Sequence, residues 1–165
     1  MVYRAWSPRG ADRFHYLAAN GFYDGVHFFR VLKGFMAQFG VHGDPSVTAA
    51  WERQRLLDDP VKHSNTRGML TFAMTSAPNT RGTQLFINYG NNAQLDASGF
   101  SPLGQVTKGI SVVDSLYGGY GEGAPGGAGP DQSRIVAEGN KYLNRDFPKL
   151  DSIVTARVGE EWKKK

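Results

Sequence analysis

The run Phe28-Phe29-Arg30-Val31-Leu32-Lys33-Gly34-Phe35-Met36-Ala37-Gln38 constrains the chain more than any other stretch. Two apolar runs on either side of Gly34 read as two strands joined by a tight bend. Side-chain alternation then puts Phe28, Arg30 and Leu32 on one face. A guanidinium thus stands between two large apolar neighbours, although Arg is rarely buried without a partner and its desolvation is costly. An edge-strand Arg with a packed stem and its head in water satisfies this pattern. So does a functional Arg held in an apolar pocket.

The rest of the chain supplies short elements. Met1–Trp6 reads as the end of a strand, and Ser7-Pro8 as the start of a helix, with Ser as N-cap and Pro at the first helical position. Ala11, Phe14, Leu17 and Ala18 form its apolar stripe, and Asn20-Gly21 ends it. A short helix is expected over Ser46–Leu57. Strands are expected over Gly68–Thr75, Gln84–Tyr89, Leu103–Val106 and Ser152–Val158, and a second main helix over Gly109–Tyr117. Ser76–Gly82 has turn chemistry, Gly90–Pro102 reads as a polar loop, and Gly118–Pro130 is a Gly-rich loop. Several short strands with only two strong helices predict a mainly β, barrel-like or sandwich domain.

Composition removes several classes of function. At 165 residues the chain is one domain long, expected to span 1–158 with a charged tail at 159–165. It has no Cys, which excludes disulfides, Cys-based zinc sites and thiol catalysis. Three of its four surplus positive charges sit on Lys163, Lys164 and Lys165, leaving +1 elsewhere. With no basic–aromatic stripe, a nucleic-acid role is not expected. No run reaches the roughly 18 apolar residues of a membrane span, and Met1–Trp6 lacks a signal-peptide core, so the default compartment is the cytoplasm.

The familiar catalytic constellations are missing as well. Gly121, Gly123 and Gly126 spell GxGxxG, but after a helix and before Pro-Gly coil rather than at a strand-to-helix turn. His15, His27, His42 and His63 lack metal-ligand spacing, so no metal is expected, and His27 reads as structural. There is no Gly-x-Ser-x-Gly elbow. The adjacent acids Asp58-Asp59 and Glu160-Glu161 read as solvated charge or helix ends.

The stretch FFRVLKGFMAQFG resembles the central motif of cyclophilin-type peptidyl-prolyl isomerases, Phe-x-Arg-(two apolar)-x-Gly-Phe-Met-x-Gln. The likeness continues through Gly68–Thr75, PNTRGTQLFIN (Pro78–Asn88), Leu95-Asp96 and Leu103-Gly104-Gln105-Val106. The endings GPDQ (Gly129–Gln132) and EGNKYL (Glu138–Leu143) are similar to a bacterial-style branch. The resemblance implies a closed or nearly closed antiparallel barrel of about eight strands less one at the N-terminus, capped by two helices. It also implies a cofactor-free isomerase acting on Xaa-Pro bonds of peptides or unfolded chains, assisting folding. By the same resemblance Arg30 is catalytic, and Phe35, Met36, Phe86 and Leu95 form the proline pocket. Gln38 and Gln84 hold the substrate backbone, and Ala73, Met74 and Thr75 form the strand end beside which the peptide lies.

Three departures from the family pattern qualify these expectations. Phe100 stands where the family usually has a His, so it can pack on a proline ring but not hydrogen-bond. Gln94 stands where cyclosporin-sensitive members carry Trp, which implies weak binding of that drug. Only six residues precede the first helix, which leaves a strand edge open. These features keep two alternatives in play: a proline-peptide-binding module with little turnover, and a structural subunit of a larger assembly.

Overall fold

A computed structural model describes residues 1–159. The strand pair forms as expected, β1 (Arg30–Leu32) and β2 (Met36–Phe39), around Gly34 at φ +81°, a conformation that L side chains rarely adopt. With β3 (Met69–Phe72), β4 (Leu85–Asn88) and β5 (Pro102–Gln105) they make one antiparallel sheet in the order β1-β2-β4-β3-β5.

That order leaves β1 and β5 as edges, so the expected barrel is not closed by ladder hydrogen bonds. Each end is instead met by a short bridge. Residues 1–3 lie along β5, where the Tyr3 N–H donates to the Leu103 carbonyl (2.8 Å) and the Gln105 N–H to the Met1 carbonyl (2.9 Å). A Cβ at Gly104 would stand only 3.0 Å from the Val2 Cα, so the close approach depends on glycine. The edge expected to be bare is therefore partly covered. At the other end Ser152 bridges His27, with the Gly25 N–H on the Ile153 carbonyl (2.7 Å). The strand expected over Ser152–Val158 does not continue past that bridge. The Ala156 N–H and the Arg157 guanidinium both bond Asp24 Oδ1 (2.8 and 2.7 Å), which draws the chain away from the sheet. Of the expected tail only Gly159 is described; 160–165, with Glu160-Glu161 and the three lysines, lie outside the described residues.

Five α-helices are described rather than two main ones with one short addition: α1 (Pro8–Ala19), α2 (Pro45–Trp51), α3 (Ile110–Ser115), α4 (Gln132–Glu138) and α5 (Asn140–Asp146). Asp131 caps α4 by accepting from the Ser133 and Arg134 N–H groups, and Gly139, at φ +59°, separates α4 from α5. The core has three parts. Leu17, Phe22 and Tyr23, on α1 and just after it, pack on Phe39, Phe72, Leu85 and Leu103 of the sheet. Ile135, Tyr142 and Leu143 of α4 and α5 enclose Phe29 and Val41. Leu116 after α3 closes over Val31, Ala37 and Tyr89.

The N-terminus of α1 differs from its sequence reading in an instructive way. Ser7 makes no capping bond to its own helix. Its hydroxyl donates instead to Asp59 Oδ2 (2.6 Å), and Asp59 accepts the Gly10 and Arg9 N–H groups (2.9 and 3.3 Å). A carboxylate 50 residues away in sequence thus satisfies the helix. Its charge is met by Arg81, whose Nη1 and Nη2 each lie 3.2 Å from Asp59 Oδ2. Both side chains are essentially inaccessible, at 0% for Asp59 and 1% for Arg81. Burial opposes ionisation of Asp59, but Ser7, the two N–H groups and Arg81 outweigh it and hold the carboxyl below its ordinary range.

Removing one partner of a buried pair strands the other charge. Asp59→Ala is expected to cost about 3–5 kcal/mol in denaturant unfolding, the range for breaking such pairs. The folded-state pKa lies below the unfolded one, so this stabilisation is full above the unfolded value of about 3.9 and is lost as pH falls through the folded one. The parent's stability relative to Asp59→Asn should therefore shrink as pH falls below about 5. A constant difference across that window would show that Asp59 titrates alike in both states.

Candidate active site

The sheet register assembles the site. Arg30 of β1 stands opposite Gln38 of β2, and Gln38 opposite Phe86 of β4. Directly opposed residues share a face, so Arg30, Gln38 and Phe86 form one row across three strands. Their neighbours Val31, Ala37 and Ile87 point the other way, into the core. Arg30 Nη1 donates to Gln38 Oε1 (3.1 Å), and Gln38 Nε2 donates to Gln84 Oε1 (2.9 Å). Met36 Sδ lies 4.0 Å from Arg30 Nη1. A guanidinium, two amides and an aromatic ring are held as a unit.

A cleft of about 590 Å3 opens over this row. It is lined by every residue expected at the site: Arg30, Phe35, Met36, Gln38, Ala73, Met74, Thr75, Gln84, Phe86, Leu95 and Phe100. Phe100 meets Phe86 edge-on, ring centroids 5.8 Å apart, and so extends the apolar wall. Beyond Gln84 the cleft runs on past Thr48, Trp51, Glu52, Arg55 and Thr80, none of which was expected from the sequence. Gln94, on the 3-10 turn Ala93–Leu95, is exposed.

Phe35, Leu95 and Phe100 stand outside the strands, Leu95 at the end of the 3-10 turn, and a largely buried polar network fixes them. Asn65 Nδ2 donates to Asp96 Oδ1 (2.7 Å) and to the Phe100 carbonyl (2.8 Å), while its Oδ1 accepts from Thr71 Oγ1 (2.8 Å). Asp96 also accepts from Ser64 Oγ and the Asn65 N–H. Burial opposes ionisation of Asp96, but these donors prevail and hold it below the usual carboxylate range. Asn92 Nδ2 donates to the Phe35 carbonyl and to Asn88 Oδ1, both at 2.8 Å. No periodicity announces these polar residues; Thr71, Asn88 and Asp96 lie in the family-like stretches, whereas Ser64, Asn65 and Asn92 lie outside them.

The sequence reading also missed Glu122. Its carboxylate takes Arg30 side-on, with Nε to Oε1 and Nη2 to Oε2 both at 2.6 Å. Arg30, first and foremost, and the Gly123 N–H hold the Glu122 carboxyl below its ordinary range against a burial penalty. The available signal was compositional: Glu122 is the one charged residue between Gly118 and Pro130. His27, expected to be structural, bonds Asn140 Oδ1 through Nδ1 (3.0 Å), and burial is the main cause lowering its pKa. Among the described residues no group of three His, Asp or Glu is placed to hold a metal ion, and no helix is long and apolar enough to cross a membrane.

Comparison with known proteins agrees with this geometry. Residues 2–134 match the family model of cyclophilin-type peptidyl-prolyl cis-trans isomerases. The chain is 40% identical to the peptidyl-prolyl cis-trans isomerase CYP18-1 of Arabidopsis thaliana over 116 residues, 66% of this chain and 69% of the relative. It is 31% identical to peptidyl-prolyl cis-trans isomerase B of Escherichia coli over 161 residues, covering 90% and 84% of the two chains. A crystal structure of a cyclophilin-type isomerase of Cryptosporidium parvum, obtained in the presence of the dipeptide Ala-Pro, superposes with a TM-score of 0.62 at 26% identity, over 79% of this chain and 82% of that one. With its central motif, its sheet and most of its length matched, the chain belongs to the cyclophilin-type peptidyl-prolyl cis-trans isomerases.

Proposed function

We propose that the cleft binds exposed Xaa-Pro segments of peptides or unfolded chains, and that Arg30 catalyses rotation about the prolyl bond. The observation that carries this reading is the row of Arg30, Gln38 and Phe86 beside the apolar wall of Phe35, Met36, Leu95 and Phe100. The barrier to rotation, roughly 18–20 kcal/mol, comes from amide resonance. Unaided exchange takes roughly tens to hundreds of seconds. No bond is made or broken, so the reaction needs only a site that binds the twisted amide better than either planar form. In the twisted state the prolyl nitrogen regains its lone pair. An N–H of Arg30 directed at that nitrogen gains strength there and nowhere else along the path.

The other residues follow from that requirement. The apolar wall holds the pyrrolidine ring still while the preceding carbonyl turns. Its low polarity strengthens the contact of Arg30 with the nitrogen. Gln38 and Gln84 offer amide groups to the peptide backbone, beside the Ala73–Thr75 strand end. Phe100 contributes surface where a hydrogen-bonding His is usual, which costs some turnover without removing the donor that matters. The relatives are named as isomerases, which does not favour a pure binding module or a structural subunit.

Exchange of an Ala-Pro test peptide, followed by NMR, tests the reading. Acceleration by the parent is expected to fall by about 100-fold or more in Arg30→Ala, the scale of losing one key transition-state donor. Line broadening from binding without faster exchange in the parent would instead indicate a binding module. Cyclosporin is expected to bind weakly in a titration, with Gln94→Trp tightening it by about tenfold, the scale of one aromatic anchor. Tight binding by the parent would rule this out.

A further inference from the structure

We propose that Glu122 is a positioning residue for Arg30, presented by a Gly-rich loop built for that purpose, and that it sets turnover rather than substrate affinity. The inference rests on Arg30 acting as described above. It accounts for the one sequence feature left without a role, the glycine run from 118 to 130.

That run is an ordered cradle. Its start is pinned against β1, since a Cβ at Gly118 would lie 3.4 Å from the Val31 carbonyl and 3.2 Å from the Lys33 Cε. Its end is pinned by Asp131, whose N–H donates to the Tyr142 hydroxyl (3.2 Å) and whose carboxylate caps α4. Between these anchors the chain folds back on Glu122. The Gly129 N–H donates to the Glu122 carbonyl (2.8 Å), the Ala124 N–H to the Gly129 carbonyl (3.1 Å) and the Gly127 N–H to the Gly123 carbonyl (3.0 Å). Side chains at 127 or 129 would collide with the Glu122 carbonyl, at 2.5 and 2.7 Å from an added Cβ. The Gly123 N–H then donates to Glu122 Oε1 (2.8 Å), orienting the carboxylate itself. Glycines are needed because the backbone closes tightly around one acid.

The contact is shaped to orient. A guanidinium has five N–H donors in a fixed plane. Glu122 takes the Nε and Nη2 edge, Gln38 takes one donor of Nη1, and the Met36 sulfur lies near the other. The plane is thereby fixed from two sides, and the one donor left uncommitted is the second N–H of Nη2, with the Nη1 N–H facing Met36 held only by a weak sulfur acceptor. A flexible side chain otherwise loses rotamer freedom when it engages the substrate. Here that loss is taken before the substrate arrives, as preorganisation requires. The pair is 24% exposed on Arg30 and 41% on Glu122, so its contribution to global stability is small and its effect is local.

The test uses the full chain with Glu122→Ala and Glu122→Gln. Exchange rates for the Ala-Pro peptide are measured over a range of peptide concentrations, and the Arg30 side-chain Nε–H signal is followed by NMR. In the alanine variant kcat is expected to fall by about tenfold, the lower end for a hydrogen bond to a charged group, with KM nearly unchanged. The Arg30 Nε–H should lose its protection from solvent exchange. The glutamine variant keeps one acceptor and should recover part of both. Faster turnover in Glu122→Ala would overturn the proposal by making Glu122 a restraint on Arg30. Unchanged kcat, or a loss carried by KM alone, would also overturn it. A parent that does not accelerate exchange would overturn the isomerase reading, and the role of Glu122 with it. An active parent matched by both variants overturns the Glu122 assignment alone.

Discussion

The register between β1, β2 and β4 is the constraint on which the rest depends. Side chains alternate with a period of two, so a slip by one residue would turn Arg30, Gln38 and Phe86 toward the core and Val31, Ala37 and Ile87 toward the cleft. The apolar set holds the register, because Val31 and Ala37 pack against Tyr89 and Leu116, and Ile87 packs beneath α1. The polar pair of the row cannot hold it, since burying Gln38 and partly burying Arg30 costs desolvation. The tight bend at Gly34 fixes the offset between β1 and β2. The position of the Arg30 guanidinium is therefore decided by residues that face the core and not the cleft.

Outside the ladder, buried polar groups take over what strand pairing does inside it. Asn65 and Asp96 tie the loop carrying Leu95 and Phe100 to Thr71 of β3. Asp59 and Arg81 tie α1 to the chain entering β4. Such groups are costly unless every donor and acceptor is met, and for that reason they specify one arrangement of an irregular segment where apolar packing would allow several. The floor of the cleft rests on backbone pairing and its walls on side-chain networks. Substitutions in the two parts should differ accordingly, the first changing global stability and the second the shape of the site.

How much of this was legible depended on how local the cause was. The β1–β2 motif, α1 and the apolar end of the cleft around Phe86 were readable because alternation, helical spacing and the family-like run each lie within a few residues. Ser7 was assigned as a cap from its position, yet its hydroxyl serves Asp59, and nothing near Ser7 in sequence reveals a carboxylate at that distance. The Ser152–Val158 segment has strand composition, but Asp24 captures the backbone and side chain at 156–157. Helices α4 and α5 are only seven residues each, too short for a clear helical stripe, although Asp131 and Gly139 mark their boundaries. Barrel closure was expected from the family pattern; here short bridges at 2 and 152 stand in for longer ladders.

The place of Glu122 beside Arg30, the residue proposed to act on the prolyl nitrogen, raises a question of balance. A carboxylate at 2.6 Å removes part of the positive potential that stabilises a developing lone pair. In a reaction with nucleophiles and leaving groups that loss could be decisive. Prolyl rotation develops no full charge. The lone pair is released over one bond rotation, and what it needs is a donor already pointing in the right direction. On the proposed reading direction outweighs field strength, and the ion pair serves to immobilise the guanidinium at the cost of part of its charge. The same logic explains why the neighbouring partners of Arg30 are an amide and a thioether rather than further charges. Each restrains the fork without competing strongly for the donors it leaves open.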